Sequence, residues 1–472
     1  MAKQFFAAKD VNAARVNEFF KKRNLNGENI QSVQIYIDNE LKLRFSPAPY
    51  DCSQRKEIYS LSKSFSSAAI GILCDRKLLS VEDRIIDLFP DKLPEQVSEH
   101  LAAMKVKHLL TMTTGHEACI MKDMYRSTDA AKAFLAQPVP RQPGTFFMYN
   151  TGASCMLAEI AERITGRKLF DFAYENIFEP LEFDNPYWTT CAQGVNEGGI
   201  GLHISNDDLA KFGLMLYNHG VYNGKRILSE EWCRAAGSAQ VDNSYNGDGG
   251  SGNWTSGYGY QFWMTKRDGY RGDGLAGQLC MVMPKNKAVV AINARTVDME
   301  PEIIDVVDLV EHLLDPVDQT EFIIPDYEPI PVNTLPEFCK NSKFRLNKNG
   351  SGFTELHIKT QQDKLILDLF DGYQKQTIQA SLGSWCESEY YAAGRVPKIL
   401  SIMDPYKTER IHLAACAGEE SGDLKIIFRH LSDPQTEELH LSVNQDQLTV
   451  TFSCIQDMLA EDCVKWTGTL IK

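Results

Sequence analysis

No run of apolar residues in this 472-residue chain approaches the roughly 20 needed to cross a bilayer. The opening residues Met1–Phe6 lead into no extended apolar core with a cleavage site, so no signal peptide is expected. Excess positive charge is missing too: 49 Lys and Arg against 63 Asp and Glu leave a formal charge of −14. Such a balance repels phosphate backbones and anionic headgroups, and argues against nucleic acid or a membrane as partner. The twelve cysteines include no Cys-x-x-Cys pair, and the ten histidines show no ligand spacing. Scattered singly, several in apolar company (Cys74, Cys155, Cys280), the cysteines read as free thiols in a reducing cytoplasm. Gly-x-Ser-x-Gly, His-Glu-x-x-His and P-loop motifs are absent as well. No metal and no cofactor is expected.

What is present is a globular composition, 43% hydrophobic and 24% charged, with length for two or three domains. Residues 11–24 space Val11, Ala14, Val16 and Phe19-Phe20 as one stripe of an amphipathic helix. Val33–Ile37, a turn at Asp38-Asn39-Glu40 and Leu41–Phe45 predict a β-hairpin. From 75 to about 235 the pattern is helical and loop-rich, with a helix over Met156–Ile164 stopped at Thr165-Gly166. Strands return at Gly259–Met264, after a turn at Asp268-Gly269 at Gln278–Met283, and after Pro284–Lys287 at Ala288–Ile292. A closing helix over Pro301–Leu314 carries Ile303, Ile304, Val307 and Val310 on one face. Strands at both ends of a helical middle predict an α+β domain over 1–315, one antiparallel sheet flanked by helices.

Pro316, Pro325, Pro329, Pro331 and Pro336 make 316–337 a stiff linker by composition. Over 338–472, short alternating segments recur about every ten residues from Phe353–Ile358 to Trp466–Leu470. Turn residues such as Asn349-Gly350, Asp371-Gly372 and Ser421-Gly422-Asp423 separate them, which predicts a small antiparallel barrel or sandwich. It carries no catalytic constellation.

The chemistry centres on Tyr59-Ser60-Leu61-Ser62-Lys63-Ser64-Phe65 and the small-residue run Ser66–Gly71 behind it. Ser60 reads as a nucleophile at the start of a buried helix, with Lys63 three residues on along the same face. Free N–H groups at a helix N-terminus stabilise a developing oxyanion, and burial disfavours an ammonium ion. Acting as a base near pH 7 asks Lys63 to fall roughly 3 units from about 10.4. Taken alone, Ser-x-x-Lys reads first as a helix-capping serine beside a solvated lysine. The pattern recurs at Ser53-Gln54-Arg55-Lys56, where the charged neighbourhood predicts a hydrated, unshifted lysine.

Longer context separates the two readings. Ser60-Leu61-Ser62-Lys63 after the first hairpin resembles the active-site motif of serine β-lactamases and penicillin-binding proteins. The match is to the branch with class C β-lactamases, D-aminopeptidases and esterases. His108–Gly115 is similar to that family's "HLLTHTSG" segment, and Pro143–Gly152 to the stretch bearing Tyr-x-Asn. Gly199–Leu202 with Asp208–Gly213 is similar to its "GGL…DLAKFG" signature, and Asn223–Trp232 to a frequent surface segment.

The resemblance implies that Tyr149 is a second base candidate, titrating with Lys63 as a pair. Without it, Tyr149 is an aromatic filling the core beside Phe146 and Phe147. Thr151 stands where the family has asparagine, so a substrate amide contact falls to Asn150 after a small shift. The third motif, Lys-Thr-Gly or His-x-Gly, aligns with Gly272–Gln278, where Gly272 replaces the basic residue and Gly274 follows. Arg271 adjoins it but faces the other way along a strand. The resemblance also implies an oxyanion hole from the N–H groups of Ser60 and Leu275. His116 reads as structural.

These readings converge on a cytoplasmic serine hydrolase that forms an acyl-enzyme with a small ester, amide or short peptide. Its rivals are a true β-lactamase or D,D-peptidase, and a catalytically silent binding protein on the same fold. Neither the oligomeric state nor the role of 338–472 follows from the sequence.

Overall fold

The computed structural model describes residues 4–24, 29–191, 193–245, 252–267, 269–316, 320–331, 335–349, 352–391, 410–454 and 464–471. Asp268 and Gly350, each placed in a turn by its sequence, lie outside the described residues. The chain forms two compact units. One gathers Phe5–Phe45 and Cys52–Ile324; the other gathers Met1–Gln4, Ser46–Asp51 and Pro325–Lys472.

The first unit is built on a seven-stranded sheet. Its strands are β1 (Gln4–Ala7), β2 (Asn29–Ile37), β3 (Glu40–Ser46), β4 (Trp263–Met264), β5 (Tyr270–Gly274), β6 (Gln278–Met283) and β7 (Ala288–Arg295). They run in the order β1-β3-β2-β7-β6-β5-β4, and every pairing from β3 to β4 is antiparallel. The β2–β3 hairpin turns on Asp38 and Asn39 at φ 52° and 66°, which short polar side chains tolerate. Alternation along the strands feeds two cores. Leu279, Met281, Val290 and Ile292 face α1 (Ala13–Arg23) with its Val16, Phe19 and Phe20. Cys280, Val282 and Ala291 face the helical middle.

That middle is organised by α2 (Ser62–Asp75), α3 (Val106–Leu110), α4 (Thr151–Thr165) and α5 (Asn206–Tyr217). Phe65 of α2 stacks on Phe212 of α5 at 3.9 Å, a burial worth roughly 1.5–3 kcal/mol. Gly166, at φ 66°, stops α4 in the left-handed region that favours glycine. The last helix, α6 (Met299–His312), buries Ile303, Val306, Val307, Leu309 and Val310. Ile304, expected on that face, is instead 43% exposed, because it sits about 100° around the helix from Ile303. The strand expected over Gly259–Met264 shortens to Trp263–Met264, since Gln261 takes φ 65° and leaves extended geometry.

The Pro-rich stretch is divided between the units. Its first part docks on α1, where Asn17 Nδ2 donates to Glu321 O and Asn17 Oδ1 accepts from Ile323 N. In the second unit, Trp385 Nε1 donates to Tyr327 O at 2.8 Å, and the Arg429 guanidinium lies 4.1 Å over the Tyr327 ring.

The strands of this unit are β8 (Asn341–Leu346), β9 (Glu355–Gln361), β10 (Lys364–Phe370), β11 (Lys375–Leu382), β12 (Cys386–Tyr391), β13 (Arg410–Glu420), β14 (Asp423–His430), β15 (Thr436–Asn444), β16 (Gln447–Cys454) and β17 (Val464–Leu470). Nine of them close in the order β11-β10-β9-β8-β17-β16-β15-β14-β13, with β13 returning to β11. Of the barrel and the sandwich that the spacing allowed, the barrel forms. Its inward residues, among them Ile358, Leu367, Leu413, Leu424, Ile426 and Leu441, fill a single core. Strands β8 and β12 were not anticipated: Asn341–Leu346 and Cys386–Tyr391 are largely polar or small and leave little alternation to read. No helix among the described residues is long and apolar enough to cross a membrane.

Candidate active site

The serine-rich opening of α2 has a local explanation. Ser60 does not lie in α2 itself but in a 3-10 turn, Tyr59–Leu61, directly before it. Tyr59 takes φ 47°, a strained conformation for an aromatic residue, and turns the chain sharply into Ser60. The following hydroxyls each hold backbone. Ser62 Oγ donates to Tyr59 O at 2.6 Å and accepts from Leu202 N at 3.1 Å. Ser64 Oγ donates to Gln261 O, and Ser66 Oγ to Gly198 O at 2.6 Å. Ser62, Ser64 and Ser66 therefore pin neighbouring loops against α2, each buried hydroxyl donating to a backbone carbonyl.

Lys63 is 1% exposed. Its Nζ lies 3.1 Å from Ser60 Oγ and 2.7 Å from Gly199 O. Burial lowers its pKa from 10.5 to about 8, a penalty on the charged form on the order of 3 kcal/mol. A neutral amine in this position donates one hydrogen to Gly199 O and keeps its lone pair for the Ser60 hydroxyl. Tyr149, half-buried, sets its ring face 5.0 Å from Lys63 Nζ. The Tyr149 ring also packs against Trp263, stacked at 5.2 Å, and Tyr258, edge-on at 6.5 Å. Tyr149, distant in sequence, is thus brought to the Lys63 amine that meets Ser60.

Asn150 has a different place. It is wholly buried, and its Oδ1 accepts from Gly152 N at 3.0 Å and Ile120 N at 3.2 Å, capping α4. Thr151 is the first residue of α4, with its methyl against Gly199. On the sheet side, a Cβ added at Gly272 would meet Ser64 Oγ at 2.6 Å, and one at Gly274 would overlap Ile58 O. Both glycines are therefore required by the close approach of β5 to the Ser60 turn. Leu275 follows at the start of the turn into β6.

Arg271, on the opposite face of β5, is fully buried and bonds Asp273 Oδ2 through Nε at 3.0 Å. Its Nη1 reaches Met264 O at 3.2 Å. Burial pushes the Arg271 guanidinium down, and Asp273 up against the pull of Arg271. This arginine is committed to Asp273, and the pair lies within electrostatic reach of Tyr149 and Lys63.

The second Ser-x-x-Lys departs from expectation. Lys56 is 1% exposed, not hydrated, because Lys56–Glu57 forms a buried two-residue strand paired with Leu202–Ile204. Extended backbone there lacks the helical spacing that joins Ser60 to Lys63. His116 is buried, its Nδ1 2.8 Å from Thr114 Oγ1, and burial lowers its pKa to about 4. Among the described residues no group of three or more His, Cys, Asp or Glu could hold a metal ion. The ten cysteines with described side chains are free thiols.

The family model for Beta-lactamase matches residues 32–309, well over half of the chain. The chain belongs to the β-lactamase family of hydrolases. It is 28% identical over 152 residues to the 6-aminohexanoate-dimer hydrolase of Paenarthrobacter ureafaciens, a stretch covering 30% of this chain and 38% of that protein. The fold is similar to a family VIII carboxylesterase, with TM-score 0.54 and 17% identity over 66% of this chain and all of that one (100%). It is also similar to the octameric penicillin-binding protein homologue from Pyrococcus abyssi, with TM-score 0.51 and 16% identity. That likeness covers 96% of this chain and 98% of the other, so it extends through the barrel.

Within this β-lactamase-family site and the sheet beside it, sequence reasoning missed four residues. Gly199 supplies the carbonyl that holds Lys63, although only its motif was noticed. Trp263 backs Tyr149, and its place in an apolar strand gave no hint of this. Gln278 and Asn293 are buried amides in strands that otherwise read as apolar, and that mismatch is itself a legible signal.

Proposed function

We propose that this protein is a serine hydrolase in which Ser60 is the nucleophile, Lys63 the base and Tyr149 the proton relay. One observation carries this: a buried Lys63 amine, lowered to about 8, within 3.1 Å of the Ser60 hydroxyl. Ser60 Oγ attacks the substrate carbonyl carbon as its proton passes to Lys63 Nζ. The carbonyl oxygen becomes an oxyanion held by the N–H groups of Ser60 and Leu275. Collapse breaks the ester C–O or amide C–N bond, and the leaving group takes the proton through Tyr149. Water then attacks the acyl-enzyme, returning a proton to Ser60.

The substrate is a small ester or amide without a carboxylate to be held from β5. Family members that bind β-lactams place a basic side chain at the position of Gly272, which has no room for one. Arg271 is already committed, through its bond to Asp273. The named activities of the 6-aminohexanoate-dimer hydrolase and the family VIII carboxylesterase support an amide or ester as the bond cleaved.

A fluorophosphonate probe together with p-nitrophenyl esters and amino-acid anilides tests the proposal. The expected result is labelling and turnover by the wild type, and neither by Ser60→Ala. Equal labelling of the two proteins removes Ser60 as nucleophile, and rapid nitrocefin turnover by the wild type reinstates a β-lactamase.

A further inference from the structure

A chain of buried amides crosses the end of the central sheet and finishes at the turn carrying Leu275. Gln278, wholly buried on β6, donates through Nε2 to Leu275 O at 3.3 Å, Ala276 O at 3.3 Å and Ala294 O at 2.8 Å. Its Oε1 accepts from Asn293 Nδ2 on β7 at 2.9 Å. Asn293 Oδ1 in turn accepts from Ser32 Oγ at 3.0 Å and from Asn206 Nδ2 at 3.1 Å, at the first turn of α5. Asn206 Oδ1 accepts from Gln34 Nε2, which also donates to Asp207, itself paired with Arg44 of β3. Gln278, Asn293, Ser32, Gln34 and Asn206 are each no more than 1% exposed.

Burying this many polar groups where apolar side chains would pack is unfavourable unless each is bonded and the bonds do something an apolar core would not. Three carbonyls converge on one end of Gln278, so only a donor fits there, and that fixes the orientation of its amide. The orientation leaves Oε1 for Asn293, and the same logic continues to Asn206. Every member is oriented by the next.

The far end of the chain is the tight turn Leu275–Gly277. It carries Ala276 at φ 61° and Gly277 at φ 87°, where an added Cβ would meet the buried Glu302 carboxylate at 2.6 Å. Ala276 O has a second donor in Thr296 N at 3.1 Å. Leu275 O is held by Gln278.

We propose that Gln278 is a positioning residue for the reaction: through Leu275 O it fixes the Leu275–Ala276 peptide plane, and so restrains the backbone of Leu275, whose N–H in the preceding peptide plane meets the oxyanion. Asn293 and Asn206 hold Gln278 in turn. The proposal rests on the reading of Ser60 as nucleophile and Leu275 as oxyanion donor. It deepens that reading by naming what holds the donor still, since a small misorientation of such a donor is felt mainly in the transition state.

The test compares wild type, Gln278→Met, Asn206→Ala and Ser60→Ala on a p-nitrophenyl ester, with active sites counted by fluorophosphonate titration. A simple boronic acid, whose tetrahedral adduct mimics the oxyanion state, gives a second readout. For Gln278→Met, kcat per titrated site is expected to fall about tenfold or more, with KM within about twofold. Boronate affinity is expected to fall by the same factor as kcat. A residue that only stabilises the fold would lower the melting temperature and the number of titratable sites, leaving kcat per site and boronate affinity unchanged. That pattern overturns the proposal. If Gln278→Met does not fold, Asn206→Ala decides: a fall in kcat per site of about threefold or more at constant KM supports the chain, and an unchanged kcat overturns it. Turnover by Ser60→Ala at the wild-type rate overturns the nucleophile reading and this one with it. Loss in Ser60→Ala with full turnover in the Gln278 and Asn206 variants overturns only the positioning role.

Discussion

At the scale of single residues, the site depends on how one amine is dehydrated. Lys63 must be neutral to accept a proton, and its pKa of about 8 makes the base form a minority below that pH. At pH 7 roughly a tenth of the lysine is free base, so kcat/KM is expected to rise about tenfold between pH 7 and a plateau above pH 9. A pH–rate profile with its acid limb near 8 checks this, and a limb near 6 or none at all contradicts it. Gly272 gives a second prediction. Gly272→Lys restores the charge that β-lactam-binding relatives carry, but its Cβ would press on Ser64 Oγ, which is tied to Gln261 O. We expect a loss of about 1–3 kcal/mol in urea unfolding and no gain in nitrocefin hydrolysis.

At the scale of elements, two buried polar anchors carry predictions. Asn150 caps α4 and also holds the backbone of Ile120. Asn150→Ala is expected to cost about 1–2 kcal/mol in denaturant unfolding, with Ser60 still labelled by a fluorophosphonate. In the barrel, His430 is wholly buried, with Nδ1 2.9 Å from Asp433 and Nε2 3.2 Å from Glu437. Burial works against its charge, but the two carboxylates outweigh it and raise the pKa from 6.5 to about 9. A raised folded-state pKa means that its stabilisation is complete below pH 6.5 and fades as pH climbs through 9. His430→Leu removes the cation that faces both carboxylates, so unfolding near pH 6 should be easier by about 3–5 kcal/mol. Equal stability of variant and wild type at pH 6 would count against the ion pair.

Elements also show what the sequence could and could not convey. Helix α1 and most barrel strands follow from periodicity, since each buries one regular stripe, whereas the β2–β3 hairpin, β6 and β7 follow from apolar runs bounded by turns. The meeting of Ser60 with Lys63 is local, three residues apart, and was legible for that reason. Gly199 and Trp263 reach the site from other segments, and no local pattern encodes such a meeting. Lys56 misled because charge was read without its strand pairing, and Gln261 because its left-handed backbone hides in an aromatic run. The family resemblance carried Tyr149, which composition alone would have left in the core.

At the scale of the whole molecule, the family assignment covers residues 32–309, and the barrel beyond it is a structure closed on itself. Closure removes the exposed edges through which open sheets pair with one another. The ring is nonetheless uneven. Most neighbouring strands share six to eight antiparallel pairs, whereas β11 and β13 meet in parallel at only Ser381↔Cys416 and Leu382↔Ala417. A loop breaks at its thinnest link, so transient opening should begin there, by peeling two rungs rather than melting a strand. Backbone amides bonded across the β11–β13 contact exchanging ahead of those in the β14–β15 rungs would reveal that unzipping.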